Sequence, residues 1–222
     1  MQKIPIYFVP GLAANTLIFE KLKFPEDQFE CTFLEWEIPL EKESLKDYAK
    51  RLCRKIVHEK PVLIGVSLGG LVVQEMANCI EVSKVIIISS AKSYHEYPRL
   101  FHIAKKTGIY KLVPTRLLLK LEKVGGFPFN RKIDERLKLY RKYLGVRDKK
   151  YWRWAIEQVV MWDRDMPDKR VIHIHGDEDE IFPAKKMENY IKLPGGTHIM
   201  LVKRYRWLNE KLPKIILDQP FA

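Results

Sequence analysis

The chain has 222 residues, 46% of them apolar and 31% charged, and carries a formal net charge of +12. That length suits one domain with a sizeable core and room for an insertion, and the composition excludes a disordered or fibrous chain. No stretch approaches ~18 consecutive apolar residues, so no membrane-spanning helix is expected.

MQKIPIYFVPG at the start has no long apolar region and no small-residue cleavage site, so no signal peptide is expected. IPIYFV (4–9), rich in β-branched and aromatic residues and ended by Pro10-Gly11, reads as a buried strand. FECTFLEW (29–36) alternates, with Phe29, Cys31 and Phe33 on one face, and reads as a second strand. From Ser44 onward, Leu45, Tyr48, Ala49, Leu52 and Ile56 follow helical spacing until Pro61. PVLIGV (61–66) is a third strand, LGGLVVQEMANCI (68–80) a buried helix, and VSKVIIISS (82–90) a fourth strand. RVIHIH (170–175) and YIKL (190–193) read as the fifth and sixth. A last helix spans about 199–217.

This alternation implies a mostly parallel sheet of about six strands with helices on both faces. It is interrupted once. Between Ser90 and Pro167 there are only helix-like patches, at 99–106, 115–124, 131–144 and 150–162, with GGFPFN (125–130) as a break. The division is therefore a core domain of residues 1–90 and 166–222, and a helical insertion of residues 91–165. Residues 92–165 hold 19 Lys and Arg against 8 Asp and Glu, while the rest of the chain holds 21 against 20. Nearly all the excess positive charge sits in the insertion, which implies an acidic rather than a basic partner.

Gly65-Val66-Ser67-Leu68-Gly69 is G-x-S-x-G, directly after one strand and directly before a helix, which is the context that motif requires. The turn is sharp, so small residues are needed two before and two after the serine. Ser67 would project above the strand ends, with the Leu68 N–H free to stabilise an oxyanion. A serine there could also serve simply as a helix cap. Two further segments favour chemistry. GGTHIM (195–200) puts His198 on a glycine-rich loop at a strand end, where sites gather in parallel sheets. HIHGDEDEIFP (173–183) puts Asp177, Glu178, Asp179 and Glu180 after the preceding strand, between serine and histidine in chain order.

With VPGLAAN (9–15), GVSLGG (65–70), HGDEDEIFP (175–183) and GGTH (195–198) in that order over nearly the whole chain, the sequence resembles the α/β-hydrolase fold superfamily. The resemblance implies Ser67 as nucleophile and His198 as general base. It selects Asp179, three residues beyond the glycine of H-G-x-x-D, as the acid. It implies the N–H groups of Leu12 and Leu68 as oxyanion donors, and no cofactor or metal. A serine hydroxyl needs such a base, and the base needs a carboxylate to fix its tautomer. Pro10-Gly11 stands where the family often has His-Gly, and the family's first hairpin is expected to be missing. Glu96 is a second conceivable acid.

The insertion falls where the family places a helical lid. Its densest basic run, Arg131, Lys132, Arg136, Lys138, Arg141 and Lys142, is a candidate docking surface for an acyl-carrier protein or a coenzyme A ester. The expected activity is hydrolysis of a carboxylic ester or thioester through an acyl-Ser67 intermediate. Alternatives are a C–C hydrolase, lyase or acyltransferase on the same fold, or a non-catalytic anion-binding protein. The lid aromatics form no nucleic-acid-binding motif, so nucleic acid is not an expected partner. Trp152, Trp154 and Trp162 read as core contacts, His173 as a packed strand residue, and His58, His95 and His102 as surface residues. Cys31, Cys53 and Cys79 are too few for a disulfide framework and read as reduced thiols of a cytoplasmic, monomeric protein.

Overall fold

Short runs of β-branched residues alternating with helical segments form one parallel sheet. The computed structural model describes residues 2–114, 138–139 and 141–220. The strands are β1 (Ile4–Val9), β2 (Phe29–Phe33), β3 (Val62–Val66), β4 (Lys84–Ile88), β5 (Val171–Gly176) and β6 (Ile191–Leu193). Their spatial order is β2-β1-β3-β4-β5-β6, and every pairing is parallel. Because β2 lies to one side of β1 and β3 to the other, the chain reverses its direction of progress between β1 and β3. The carboxyl ends of those two strands therefore border the crevice where parallel α/β sheets bind ligands.

Alternate strand residues supply two cores, as the two-residue period of a strand requires. Tyr7, Val9 and Leu63 pack with α1 (Leu45–Cys53) and α2 (Leu68–Met76) on one face. Ile6, Phe8 and Ile64 pack on the other, against residues of α5 (Met200–Lys203) and α6 (Tyr205–Ile216). β3 and most of β4 are buried on both faces, which explains their nearly unbroken apolar sequences.

Some boundaries differ from the periodicity. Helix α1 is capped by the Ser44 side chain, which accepts from the Asp47 N–H, and ends at Cys53. The single C-terminal helix expected from 199 to 217 is broken at Arg204, whose guanidinium turns back to donate to the Gly195 carbonyl at 3.1 Å. In the segment between β4 and β5, α3 (Arg99–Thr107) and α4 (Lys149–Met161) match two of the four expected helices. The patch at 115–124, the break at 125–130 and most of the patch at 131–144 lie outside the described residues. Among the described residues no helix is long and apolar enough to cross a membrane.

The three tryptophans of this segment are buried, and each indole N–H has a partner. Trp152 donates to the Val146 carbonyl, Trp154 to the Glu43 carbonyl, and Trp162 to the Glu75 carboxylate. Glu75, on α2, is itself buried and paired with Arg164 at 2.9 Å. This buried pair ties the segment to the central helix. Arg164→Met should cost about 3–5 kcal/mol, because it leaves a carboxylate without its cation. Adding Glu75→Leu should recover much of that loss, as read by urea unfolding.

His173 and His175 project from the same face of β5 and are fully buried. His175 Nε2 donates to the Phe182 carbonyl at 2.7 Å, so its Nδ1 accepts from His173 Nε2 at 3.0 Å. Burial pushes both imidazoles below their ordinary pKa. In the unfolded chain they charge near pH 6.5, whereas in the fold they stay neutral to lower pH. Stability is therefore fully present above that range and falls as pH drops below it. Each imidazole contributes a slope of up to about 1.4 kcal/mol per pH unit. Urea unfolding between pH 8 and 5 should show this loss, and His173→Leu should make the slope shallower.

Candidate active site

Ser67 sits between β3 and α2 with φ 53° and ψ −118°, a region that L-residues rarely adopt. The surrounding backbone leaves it no alternative. Its N–H donates to the Ile88 carbonyl at 2.9 Å, and its carbonyl accepts from the Gly70 N–H and the Ser90 hydroxyl, each at 2.8 Å. The two flanking glycines are required by close approach. A Cβ on Gly65 would lie 2.2 Å from the Gly69 carbonyl oxygen, and one on Gly69 would lie 2.3 Å from the Val9 carbonyl oxygen. Strand, turn and helix are packed backbone to backbone, and the serine side chain is lifted clear of them.

Asp179 and His198 arrive on the loops after β5 and β6. These loops also touch through glycines: a Cβ on Gly176 would lie 2.1 Å from the Gly196 carbonyl oxygen. The Glu178 N–H donates to that same carbonyl at 2.9 Å, and Asp177 accepts from the Gly195 N–H at 2.6 Å. The two loops thus form one unit. It places His198 Nδ1 3.0 Å from Asp179 Oδ2, and His198 Nε2 3.0 Å from Ser67 Oγ. A carboxylate facing Nδ1 holds the proton there, which leaves Nε2 to accept from the serine hydroxyl. Residues 131 positions apart in the chain, Ser67 and His198, meet at hydrogen-bonding distance.

Of the four acids after β5, Asp179 is the one directed at the histidine. Its side chain is fully buried, and Oδ1 accepts from the N–H groups of Ile181 and Phe182 at 2.8 and 2.9 Å. Burial pushes its carboxyl up, but the hydrogen bond and charge of His198 and the Phe182 N–H outweigh that, and its pKa lies below the ordinary aspartate value. Asp177 is instead paired with Lys192 at 3.1 Å. Glu96 is buried elsewhere, accepting from the N–H groups of Lys92 and Glu188. The sequence did not single out His175 and Phe182 as supports of the acid. The signal was present as two histidines one strand period apart on a buried strand.

The two proposed oxyanion donors flank Ser67. Leu68 is the first residue of α2, and a Cβ on Gly11, beside Leu12, would lie 3.7 Å from Ser67 Cβ. Among the described residues neither the Leu12 nor the Leu68 N–H has a hydrogen-bond partner. Next to His198 a cavity of about 350 Å³ is lined mainly by Ile18, Leu139, Tyr143, Ile181, Ile199 and Val202, with exposed Glu180 and Lys203. Among the described residues no group of three or more His, Cys, Asp or Glu side chains could hold a metal ion.

The basic run is divided differently from its sequence spacing. Arg131, Lys132 and Arg136 lie outside the described residues. Lys142 is ion-paired with Glu20, and Lys138 and Arg141 have contacts of their own. A different cationic surface emerges. Lys42, Lys149, Lys150 and Arg153 line a groove of about 750 Å³ beside Pro39 and Trp154, together with Glu43 and Glu157. Lys149, Lys150 and Arg153 lie on α4, and Lys42 comes from the turn before α1, so linear spacing could not have grouped them.

Neither a protein-family model nor a curated protein matches this chain. Solved structures do. The chain is similar to a thermophilic esterase from Thermogutta terrifontis, with 13% identity and a TM-score of 0.65 over 98% of this chain and 90% of that one. An esterase from Exiguobacterium antarcticum matches at 15% identity and a TM-score of 0.67, covering 97% and 92% of the two chains. An epoxide hydrolase of the alpha/beta hydrolases superfamily, from metagenomes of hot environments, matches at 11% identity and a TM-score of 0.64, covering 97% and 91%. These likenesses, together with the all-parallel sheet and its strand order, establish that the chain has the α/β-hydrolase fold.

Proposed function

We propose that the protein is a serine hydrolase that cleaves a carboxylic ester or thioester. The observation that carries this reading is the unbroken contact from Asp179 through His198 to Ser67 Oγ at the strand ends. In the first step Ser67 Oγ attacks the substrate carbonyl while His198 Nε2 takes its proton. The negative charge on the carbonyl oxygen is held by the N–H groups of Leu12 and Leu68. Asp179 fixes the imidazole tautomer and stabilises its charged form. The imidazolium then protonates the departing alcohol or thiol, leaving acyl-Ser67. A water, deprotonated by the same His198, hydrolyses that ester and restores the serine. The apolar cavity beside His198 supports an uncharged hydrocarbon group of small to medium size as the part of the substrate bound there. In this reading the segment between β4 and β5 is the lid.

The similar structures include both esterases and epoxide hydrolases, so the fold alone does not select the reaction. An intact-mass measurement after incubation with a fluorophosphonate tests for an activated serine, and turnover of p-nitrophenyl esters tests for ester hydrolysis. One adduct on the wild type, none on Ser67→Ala and slow formation on His198→Ala is the expected result. Asp179→Asn should lower kcat on p-nitrophenyl esters by about 10⁴-fold through the wrong tautomer. A folded wild type that forms no adduct and turns over no ester of any chain length would overturn the reading.

A second reading concerns how the acyl group is presented. Four cations, Lys42, Lys149, Lys150 and Arg153, line the groove against two carboxylates, of which Glu43 is paired with Arg51 and Glu157 accepts from the Tyr110 hydroxyl, and this excess of positive charge supports a coenzyme A ester or an acyl-carrier protein as the acyl donor. The double variant Lys150→Glu/Arg153→Glu should lower kcat/KM on a coenzyme A thioester about 10-fold. It should leave the p-nitrophenyl ester of the same acid unchanged. The same change relative to the wild type on both substrates, or none on either, would rule out docking in this groove.

A further inference from the structure

The loop after β1 is held under strain by groups that the triad does not use. Ala13 has a φ of 55°, in the left-handed region that disfavours a Cβ, and is fully buried. Two peptide planes flank Leu12, and each is fastened by an aromatic side chain. The Gly11 carbonyl accepts from the Trp36 indole N–H at 2.8 Å and from the Ala14 N–H at 3.0 Å. The Ala13 N–H donates to the Tyr151 hydroxyl at 3.1 Å. The Ala13 carbonyl in turn accepts from the N–H groups of Gly145 and Val146, at 2.8 and 3.2 Å, and Ala14 forms a β-bridge with Leu144.

The direction of the Leu12 N–H follows from this. In a planar trans peptide the N–H points opposite to the carbonyl of the same unit. The Gly11 carbonyl and the Leu12 N–H share one such unit, so the bond from Trp36, together with that from the Ala14 N–H, aims the Leu12 N–H away from the indole. The next unit contains the Ala13 N–H, and the Tyr151 hydroxyl keeps it from rotating. The two rings brace each other, with centroids 5.6 Å apart, and Trp154 closes on Tyr151 at 5.9 Å. Tyr151 is fully buried, so no solvent replaces its hydroxyl as the partner of the Ala13 N–H.

We propose that Trp36 and Tyr151 are positioning residues that together hold the two peptide planes around Leu12 and aim its N–H at the oxyanion formed beside Ser67. Trp36 comes from the core and Tyr151 from α4, so the segment between β4 and β5 supports the oxyanion loop directly. The proposal rests on the hydrolase reading given above. It also makes a claim about the backbone that does not need catalysis to be read.

The test uses Tyr151→Phe, which removes one oxygen and keeps the ring, and Trp36→Phe. Each should lower kcat on a p-nitrophenyl ester by about 10- to 100-fold, less than the full loss of an oxyanion donor. KM should move by no more than about 2-fold. In Tyr151→Phe the Ala13 amide, which loses its only acceptor among the described residues, should exchange its hydrogen at least about 10-fold faster than in the wild type. Unchanged kcat in both variants of an active enzyme would overturn the proposal, as would a loss shared equally by kcat, KM and thermal midpoint. If the wild type itself neither labels nor turns over, the hydrolase reading fails. The exchange rate then decides the backbone claim: an Ala13 amide as protected in Tyr151→Phe as in the wild type would overturn it.

Discussion

The structure depends on one crowded crossing, where the end of β3 passes into α2 with no room for a side chain at Gly65 or Gly69. The unusual backbone of Ser67 is a consequence of that crossing. A residue at positive φ costs free energy, and it persists only where neighbours over-determine it. Here the neighbours are β4, through the Ile88 carbonyl, and Ser90 just beyond it, which hold both peptide groups of the turn. The stabilisation comes from the core. β3 and α2 are buried along their whole lengths, so the strained turn is clamped between two of the best-packed elements in the molecule.

The loops that carry Asp179 and His198 obey a similar constraint with different chemistry. A carboxylate with a fully buried side chain needs donors at several lone pairs. Asp179 finds two backbone N–H groups and an imidazole. The backbone donors are available because His175 holds the Phe182 carbonyl and so fixes the turn that carries them. His175 lies at the end of β5, one turn before the acid. The requirement for a buried, correctly oriented carboxylate thus reaches back into the strand, and it explains why two neutral histidines occupy a position where aliphatic residues would be expected.

In its described parts, the segment between β4 and β5 is fastened to the core at several points. It is tied to α2 through Trp162 and the Glu75–Arg164 pair, and to the loop after β1 through Tyr151 and the Ala14–Leu144 bridge. Its contacts reach the helix that follows the serine and the loop that carries Leu12. Such a segment couples the packing of the core to the geometry of the site. Three of its cations, Lys149, Lys150 and Arg153, are exposed on the same helix that buries Tyr151, Trp152 and Trp154. One amphipathic helix presents both.

What the sequence determined by itself was whatever local spacing encodes. The six strands follow from short apolar or alternating runs, the helix after Ser44 from the spacing of its apolar residues, and the serine turn from glycines two residues away on each side. Local spacing placed four acids after β5 without choosing among them; the family resemblance pointed to Asp179, and Asp179 is the carboxylate that meets His198. Tertiary structure alone decided the rest, because those features join residues far apart in the chain. The break at Arg204 depends on Gly195. The cationic groove gathers Lys42 with Arg153, and the pairing of Lys142 with Glu20 removes one cation from the run that looked densest. The clamp on the loop after β1 needs Trp36 and Tyr151 to converge on residues 11–13. Nothing in a linear pattern records which aromatic ring will carry its one polar atom to a strained peptide. That is settled when the helices pack, because a buried N–H or carbonyl must find a partner wherever the fold supplies one.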